Sequence, residues 1–176
     1  MPISLTQLAA RVGRELAGVR RVWLDDGLAE PFRTALPRLT TTVAQSSDAE
    51  VAVVAAAQIT NEGELTAEGA GTVAASRVLA VVQRLDSLAA AGTRPIVMQL
   101  TGSPAARAAR LFTNLGVIDV TAEGLLIVEL APGAAATDLQ RIAEPTLMIA
   151  PAVTEMNVAP IADDLDSGLD RGPGAS

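Results

Sequence analysis

The side chains that could do chemistry in this chain are few, because its 176 residues include no His, Cys, Tyr or Lys. Without them the chain cannot form a Ser-His-Asp or Cys-His nucleophile, a Schiff base or a lysine phosphate site. The usual ligands of zinc and iron–sulfur centres are missing as well. Any catalysis must therefore use carboxylates, hydroxyls, amides, guanidinium groups and backbone N–H groups, or groups that a partner chain supplies.

Two acidic segments are the first candidates for a binding site. The turn 61–64 (Asn-Glu-Gly-Glu) follows the apolar segment 50–59, and open α/β sheets bind ligands beyond the carboxyl ends of such strands. Asp25 and Asp26 could hold a divalent cation through oxygen ligands. An ordinary solvated turn and a solvated loop or helix cap also account for the two segments, and we assign no metal site.

The charge of the chain limits its partners. Its 13 basic and 20 acidic residues give a net charge of −7, and no arginine-rich stripe with interleaved aromatic residues is present, so we exclude nucleic acid as a partner. Arg107 and Arg110, three residues apart on a predicted helix, could meet a phosphate, although such pairs are usually solvated. No apolar run reaches about 18 residues and no signal peptide is evident, so we expect a cytoplasmic protein without membrane contact.

The elements that must position these residues follow from the periodicity. Ser4 and Gln7 have capping-box spacing, and an amphipathic helix follows them. A short strand is predicted over Arg21–Leu24 and a helix over 28–36. The apolar run at 50–59 is typical of a strand that is covered on both faces, which implies a parallel sheet with helices above and below it.

The second half of the chain is predicted from weaker local signals. Ser103 and Pro104 supply an N-cap and a first-turn proline for a helix over 104–112. The strands 116–120 and 125–130 flank a four-residue turn and form an antiparallel hairpin. The other predicted elements are helices over 70–76, 85–91 and 137–143 and strands over 78–83, 95–100 and 146–150. Residues 1–150 are expected to form one domain, and residues 151–176 an acidic, disordered tail.

Several motifs carry a resemblance to a known family. The C-terminal ones are Leu100-Thr-Gly, Leu111–Val120 (LFTNLGVIDV) and Glu123–Gly133 (EGLLIVELAPG), and the upstream ones are Ala52–Leu65, Leu8–Leu16 and Val22–Phe32. In order and spacing these segments resemble the beta (B) subunit of 3-oxoacid CoA-transferases, in the class I CoA-transferase family. The resemblance covers roughly residues 5–150 and is most specific after residue 95.

The resemblance implies a fold, a partner and a reaction. The fold would be CoA-transferase-like, with an open, mostly parallel sheet, helices on both faces and a C-terminal antiparallel hairpin. The partner would be an alpha-like subunit, with self-association as the alternative. Family members transfer CoA through a glutamate that attacks the acyl-CoA, so coenzyme A would enter as part of the substrate and no cofactor would be bound permanently. A carboxylate needs no histidine for this role.

Site residues follow from the same resemblance. Gly27 matches a glycine of the family's first loop, and Ala55 stands where the family has a glycine whose backbone N–H serves the oxyanion. With Asn61 and Gly63, Gly27 is a candidate for cofactor binding. Asp25 and Asp26 replace a glycine and an apolar residue of that loop, and two carboxylates there would repel an anionic substrate.

The largest departure from the family is a deletion. The serine-glutamate-asparagine-glycine segment that carries the nucleophile has no counterpart between Pro37 and Asp48. Glu62 is the carboxylate best placed to substitute for it, with Gln58 as an amide donor, although a turn glutamate in water and a glutamine bonded to nearby backbone are the simpler interpretations. Two hypotheses therefore stay open. The chain is either a catalytic CoA-transferase subunit or a noncatalytic, degenerate subunit that scaffolds or regulates a partner.

Overall fold

The fold is built on one large mixed sheet. The computed structural model describes residues 2–69, 72–83 and 85–159. The strands of this part are β1 (Arg21–Leu24), β2 (Thr41–Thr42), β3 (Val51–Thr60), β4 (Glu64–Ala67), β5 (Arg77–Val82), β6 (Ile96–Val97), β7 (Ala106–Arg107), β8 (Arg110–Thr113), β9 (Gly116–Thr121), β10 (Gly124–Leu130) and β11 (Met148–Glu155). Its α-helices are α1 (Leu5–Glu15), α2 (Glu30–Ala35), α3 (Leu85–Ala90) and α4 (Ala136–Gln140).

The strand order of the main sheet is β2-β1-β3-β5-β8-β9-β10-β11. The first five of these strands are parallel to one another, β8, β9 and β10 alternate in direction, and β11 pairs in parallel with β10. The parallel sheet and the C-terminal antiparallel hairpin are confirmed. The apolar run at 50–59 is indeed the central strand, β3.

Apolar side chains cover both faces of this sheet. Alternate residues of β3 point to opposite sides, as the two-residue period of a strand requires. Val51, Val53 and Ala55 join a core beneath α1 and α2, whereas Ala52 and Val54 join a second core that includes Leu85 of α3 and Leu139 of α4. Helices therefore lie on both faces, as predicted.

Strand β3 belongs to two sheets. Its first half pairs with β1 and β5, and its second half pairs with β4 and β6 in a small second sheet that β7 extends. A bulge in the pairing with β4 lies between Ala56 and Gln58, and bulges bend a strand and increase its twist. The side chains of Ile59, Leu65 and Ile96 from this second sheet lie in the same core as Leu111 and Ile118 of the main sheet. The second sheet thus covers one face of the first.

Helix α1 begins at the predicted capping box. The Ser4 hydroxyl accepts from the Gln7 N–H at 3.1 Å, and the Gln7 side chain accepts from the Ser4 N–H at 2.9 Å. The helix buries Leu8 and Val12 completely. Both hydrogen bonds of the capping box are made, so the helix starts where the sequence predicts.

Partly buried ion pairs connect α1 with β8 and β10. Arg11 binds the Glu129 carboxylate through Nε and Nη2, and its guanidinium lies 5.3 Å from the centroid of the Phe112 ring. Glu15 accepts from Arg11 at 3.2 Å and from Arg110 at 2.9 Å. The Glu129 hydrogen bond raises the pKa of Arg11. Burial acts to raise the pKa of Glu15, but Arg110 and Arg11 outweigh it and hold that pKa below the ordinary carboxyl value.

Two predicted helices are wrong. Residues 72–76 of the range 70–76 are not helical, because the Val73 N–H donates to the Ala105 carbonyl and the Ala74 N–H to the Ser46 hydroxyl. Residues 104–112 form β7 and the start of β8 instead of a helix. The N–H of Ala105 donates to the Leu65 carbonyl within β4, and the N–H of Ala108 donates to the Gly63 carbonyl just before β4. This long-range pairing overrides the helix propensity of an alanine-rich segment.

Other elements differ only in extent. Strand β6 covers two of the six residues predicted at 95–100, and α4 ends before residue 143. The last strand, β11, continues to Glu155 and so passes the expected domain boundary at residue 150. Residues 160–176, with most of the expected acidic tail, lie outside the described residues. In the part of the chain that the structure describes, we find no helix long and apolar enough to cross a membrane.

Candidate functional site

The carboxyl edge of the parallel strands is occupied by a buried carboxylate. Asp25 follows β1 and is only 2% exposed. Its Oδ2 atom accepts from the backbone N–H of Ala55, in the middle of β3, at 3.1 Å and from the N–H of Gly69, after β4, at 3.3 Å. We call this carboxylate with its two N–H donors the Asp25 site. The Ala55 N–H, for which the family resemblance implies an oxyanion role, is therefore bonded to a side chain of the same chain.

Two glycines give the Asp25 site its shape. A Cβ atom on Gly69 would lie 1.8 Å from Asp25 Oδ1, so residue 69 cannot carry a side chain while the carboxylate is in place. A Cβ atom on Gly27 would lie 2.8 Å from the Gly69 nitrogen and 2.9 Å from the Glu68 Cβ. Gly27, predicted to bind a cofactor, here allows the loop after β1 to contact the segment after β4.

Gln83 connects the two segments that surround the Asp25 site. Its Nε2 donates to the Gly27 carbonyl at 2.5 Å and to a Glu68 carboxylate oxygen at 2.9 Å, and its Oε1 accepts from the Ala29 N–H at 2.8 Å. Gln83 is not among the site residues predicted from the sequence. The available signal was a polar side chain directly after the apolar strand β5, at the edge where open α/β sheets in general bind ligands.

The Gln58 side chain binds the loop that contains Thr101. Its Oε1 accepts from the backbone N–H of Thr101 at 3.0 Å and from the Thr101 hydroxyl at 2.9 Å. Gln58 lies in the half of β3 that belongs to the second sheet, beyond the Asp25 site. The contacts match the simpler interpretation of this residue, in which the amide satisfies nearby backbone.

Glu62 lies near the amino ends of the parallel strands, at the edge of the main sheet opposite the Asp25 site. Because β3 bends over the sheet, the turn after it packs against the β9–β10 turn, where the Asn61 Oδ1 accepts from the Leu125 N–H at 3.3 Å. Gly63 has a positive φ of 89° and lies so close to Val120 and the Ala108 carbonyl that a Cβ would clash. Asn61 and Gly63 thus have structural contacts, while Glu62 is exposed. The turn does follow the carboxyl end of β3, but that end of β3 pairs with β4 and β6 in the second sheet and not with the main parallel sheet.

An open cavity of about 620 Å³ lies beside this turn. Its lining includes the acidic Glu62 and Glu123 and the basic Arg77 and Arg107. The cavity lies where β5 begins, and the Asp25 site lies where β5 ends. The two places are therefore separated by the length of β5, roughly 17 Å at about 3.3 Å per residue. One acyl group cannot contact both places.

The other predicted ligand sites also take definite positions. Asp25 is turned onto backbone N–H groups, and within residues 2–69, 72–83 and 85–159 no group of three acidic side chains is placed to hold a metal ion. Arg107 and Arg110 lie on strands rather than on one helix. Arg110 binds Asp119 and Glu15; burial acts to lower its pKa, but these carboxylates outweigh it and raise the pKa of Arg110.

Comparison by sequence finds no matching protein family, and no curated protein matches the chain. Solved structures do match. Glutaconate coenzyme A-transferase from Acidaminococcus fermentans superposes with a TM-score of 0.67 at 10% identity, covering 97% of this chain and 95% of that chain. The decarboxylase AibA/AibB gives a TM-score of 0.65 at 13% identity, covering 92% of this chain and 91% of that chain.

A third structure matches over only part of its length. The acyl-CoA transferase YdiF from E. coli O157:H7, solved as a thioester complex with CoA, gives a TM-score of 0.63 at 13% identity. The match covers 89% of this chain but 44% of the YdiF chain. At these identities the likeness concerns the backbone alone. We conclude that this chain has the CoA-transferase-like α/β fold, which these two transferases and the decarboxylase share.

Proposed function

We propose that this chain is a beta-like subunit of an assembly that acts on acyl-CoA thioesters together with an alpha-like partner, and that it shapes the site without supplying the nucleophile. The observation that carries this proposal is the Asp25 carboxylate on the Ala55 N–H. Coenzyme A would enter as part of the substrate, and no cofactor would be held permanently.

The Asp25 site is incompatible with an oxyanion at the same place. Donors that stabilise a developing oxyanion must be free to approach it at about 2.7–3.1 Å. Here the Ala55 N–H already has an acceptor, and the acceptor carries the charge that an oxyanion would carry. Like charges in one site disfavour each other. A reaction that develops negative charge on an acyl oxygen is therefore not stabilised at Ala55 by this chain.

Glu62 is poorly placed to replace the missing nucleophile. A nucleophile and its oxyanion donors must both lie about 3 Å from one reacting group. Glu62 is exposed in the turn after β3, at the other edge of the sheet from Ala55. This arrangement favours the noncatalytic hypothesis for this chain over the catalytic one.

The comparisons support a two-part assembly. The match to YdiF leaves more than half of that chain without a counterpart here, as expected if this chain is one part of a larger unit. The decarboxylase is named for two components, AibA and AibB. Because similar folds belong to transferases and to a decarboxylase, the reaction to be tested is CoA transfer or another acyl-CoA reaction such as decarboxylation.

Co-expression with an alpha-like CoA-transferase subunit tests the proposal. The purified complex is incubated with a panel of acyl-CoA thioesters and carboxylate acceptors, and CoA transfer and CO₂ release are measured. Covalent CoA adducts are then mapped by mass spectrometry. We expect a stable complex that converts an acyl-CoA, with no adduct on this chain.

The variant Glu62→Gln is the matched control for the catalytic hypothesis. If Glu62 were the nucleophile, the wild-type complex would carry a glutamyl-CoA adduct at residue 62, and Glu62→Gln would abolish turnover without loosening the complex. Either result overturns the noncatalytic role. A chain that binds no alpha-like subunit and only associates with itself refutes the proposed partner.

A further inference from the structure

We propose that the N–H groups of Ala55 and Gly69 form a binding site for a single carboxylate, which this chain fills with its own Asp25, and that a small external carboxylate occupies it when that side chain is shortened. This inference goes beyond the proposed function, because it concerns the chain alone and needs neither a partner nor an acyl-CoA.

The donor geometry is that of an anion site. Both N–H groups converge on one oxygen, at 3.1 and 3.3 Å, at the carboxyl edge of a parallel sheet. Converging backbone N–H groups form concave sites that favour anions. Burying a carboxylate without hydrogen-bond donors is strongly unfavourable, so the donors explain why an aspartate that is 2% exposed is tolerated.

The size of the site is limited to a carboxylate. The absence of a side chain at Gly69 leaves room for Asp25 Oδ1, which lies 1.8 Å from the ideal Cβ position of residue 69. Removing the carboxylate therefore leaves a gap with two unsatisfied donors. Formate has the size of the group lost in Asp25→Ala, and acetate has the size of the side chain lost in Asp25→Gly.

The surrounding backbone does not depend on the Asp25 side chain. The Asp25 N–H donates to the Val53 carbonyl at 3.0 Å, and the Asp25 carbonyl accepts from the Leu28 N–H at 3.1 Å. Gln83 independently joins Gly27, Ala29 and Glu68. Both donors should stay in place when the carboxylate is removed.

Thermal unfolding of Asp25→Ala and Asp25→Gly in sodium formate, acetate and chloride tests this inference. We expect a saturable rise in Tm of about 2–4 °C at roughly five times the Kd. Formate should act best on Asp25→Ala, because acetate would clash with the remaining methyl group, and acetate should act best on Asp25→Gly. Wild type should respond to the three salts alike, because a tethered carboxylate competes at a high effective concentration.

Asp25→Asn is the matched control, since its amide oxygen still accepts from both N–H groups and leaves no gap for a carboxylate. In the alanine variant, formate should shift the amide proton signals of Ala55 and Gly69. If Asp25→Ala and Asp25→Gly do not fold in chloride, their refolding yields are compared instead. The inference then requires folded Asp25→Ala in formate and folded Asp25→Gly in acetate. Equal effects of formate, acetate and chloride, in Tm or in refolding yield, overturn it.

Discussion

Asp25 shows how one side chain changes what a sheet edge can bind. The pairing of β3 with β1 ends at Leu24, and the Ala55 N–H beyond it donates to the Asp25 side chain instead. The Asp25 carboxylate also places a negative charge where an anionic ligand would approach. Hydrogen bonds to charged groups contribute about 1.5–3 kcal/mol. The same contacts that stabilise the fold thereby remove an anion site from use.

At the scale of single residues we predict that Gly69→Ala destabilises the protein by about 1–3 kcal/mol, because its Cβ would overlap Asp25 Oδ1. Urea unfolding measures the change. Gly102→Ala is the matched control, since the nearest atom to its Cβ would be a Thr66 methyl at 4.0 Å, and it should change stability by less than about 0.5 kcal/mol.

The penalty of Gly69→Ala should fall when it is combined with Asp25→Ala, because the overlapping oxygen is then absent. Residues in contact show such coupling, of about 0.5–3 kcal/mol. Additive effects of the two substitutions would contradict the proposed contact.

The residue-level chemistry was only partly predictable. Two adjacent acidic residues at 25 and 26 predict that the loop repels anions, and this stays a prediction. The inward orientation of Asp25 was not predictable, because its second donor, Gly69, is 44 residues away in sequence. Glu62 attracted interest for its sequence neighbours, and its position depends on a bend in β3 that no glycine or proline marks.

At the scale of elements, α1 depends on charges as well as on apolar packing. Glu15 is 14% exposed in its side chain and accepts from Arg11, Arg110 and Arg77. Arg11 in turn binds Glu129 of β10. The helix is thus ion-paired to β5, β8 and β10 through its second half.

The Glu15 pairs predict a pH dependence of stability. The pKa of Glu15 is lowered in the folded state from its usual 4.5, so its contribution is present above that pH and is lost as pH falls through the lower, folded-state value. Urea midpoints measured from neutral to acidic pH should therefore fall below about pH 4.5.

Glu15→Gln should cost about 1–3 kcal/mol at neutral pH and reduce this acid dependence. Glu64→Gln, at an exposed carboxylate of β4, is the control and should retain the acid dependence. A wild-type profile that Glu15→Gln leaves unchanged would show that Glu15 does not contribute to it.

Helices and strands were predictable where the sequence pattern fits only one type of secondary structure. The alternation at 116–130 specifies a hairpin, and the length of the apolar run at 50–59 specifies a buried strand. The range 104–112 has good helix signals, but its backbone groups pair with β4, about 40 residues earlier. Local propensity cannot report such a partner.

At the scale of the whole molecule, the C-terminal strand completes a core that begins with α1. Met156, directly after β11, is 2% exposed and belongs to the same core as Leu8 and Val12. Its N–H donates to the Leu130 carbonyl at 2.8 Å. The packed part of the chain therefore extends beyond residue 150.

We predict that a chain ending after Ala150 is less stable than one ending after Ala159 by about 2–5 kcal/mol, since it loses the burial of Met156 and residues 151–155 of β11. Unfolding in urea compares the two chains. Met156→Ala in the full chain should reproduce much of the loss, whereas Ala152→Ser, at an exposed position, should have little effect. Equal stability of the two truncated chains would place the boundary at residue 150.

The ion pair between Arg11 and Glu129 joins positions 118 residues apart. During protein synthesis at about 5–20 residues per second, roughly 6–24 s pass between the appearance of these two residues. Through that interval Arg11 has Glu15 nearby in sequence but lacks Glu129, and the apolar side chains of α1 lack the part of the core that the later strands supply. The apolar side chains of α1 therefore stay without their later core partners, and open to non-native contacts, until the hairpin has been translated.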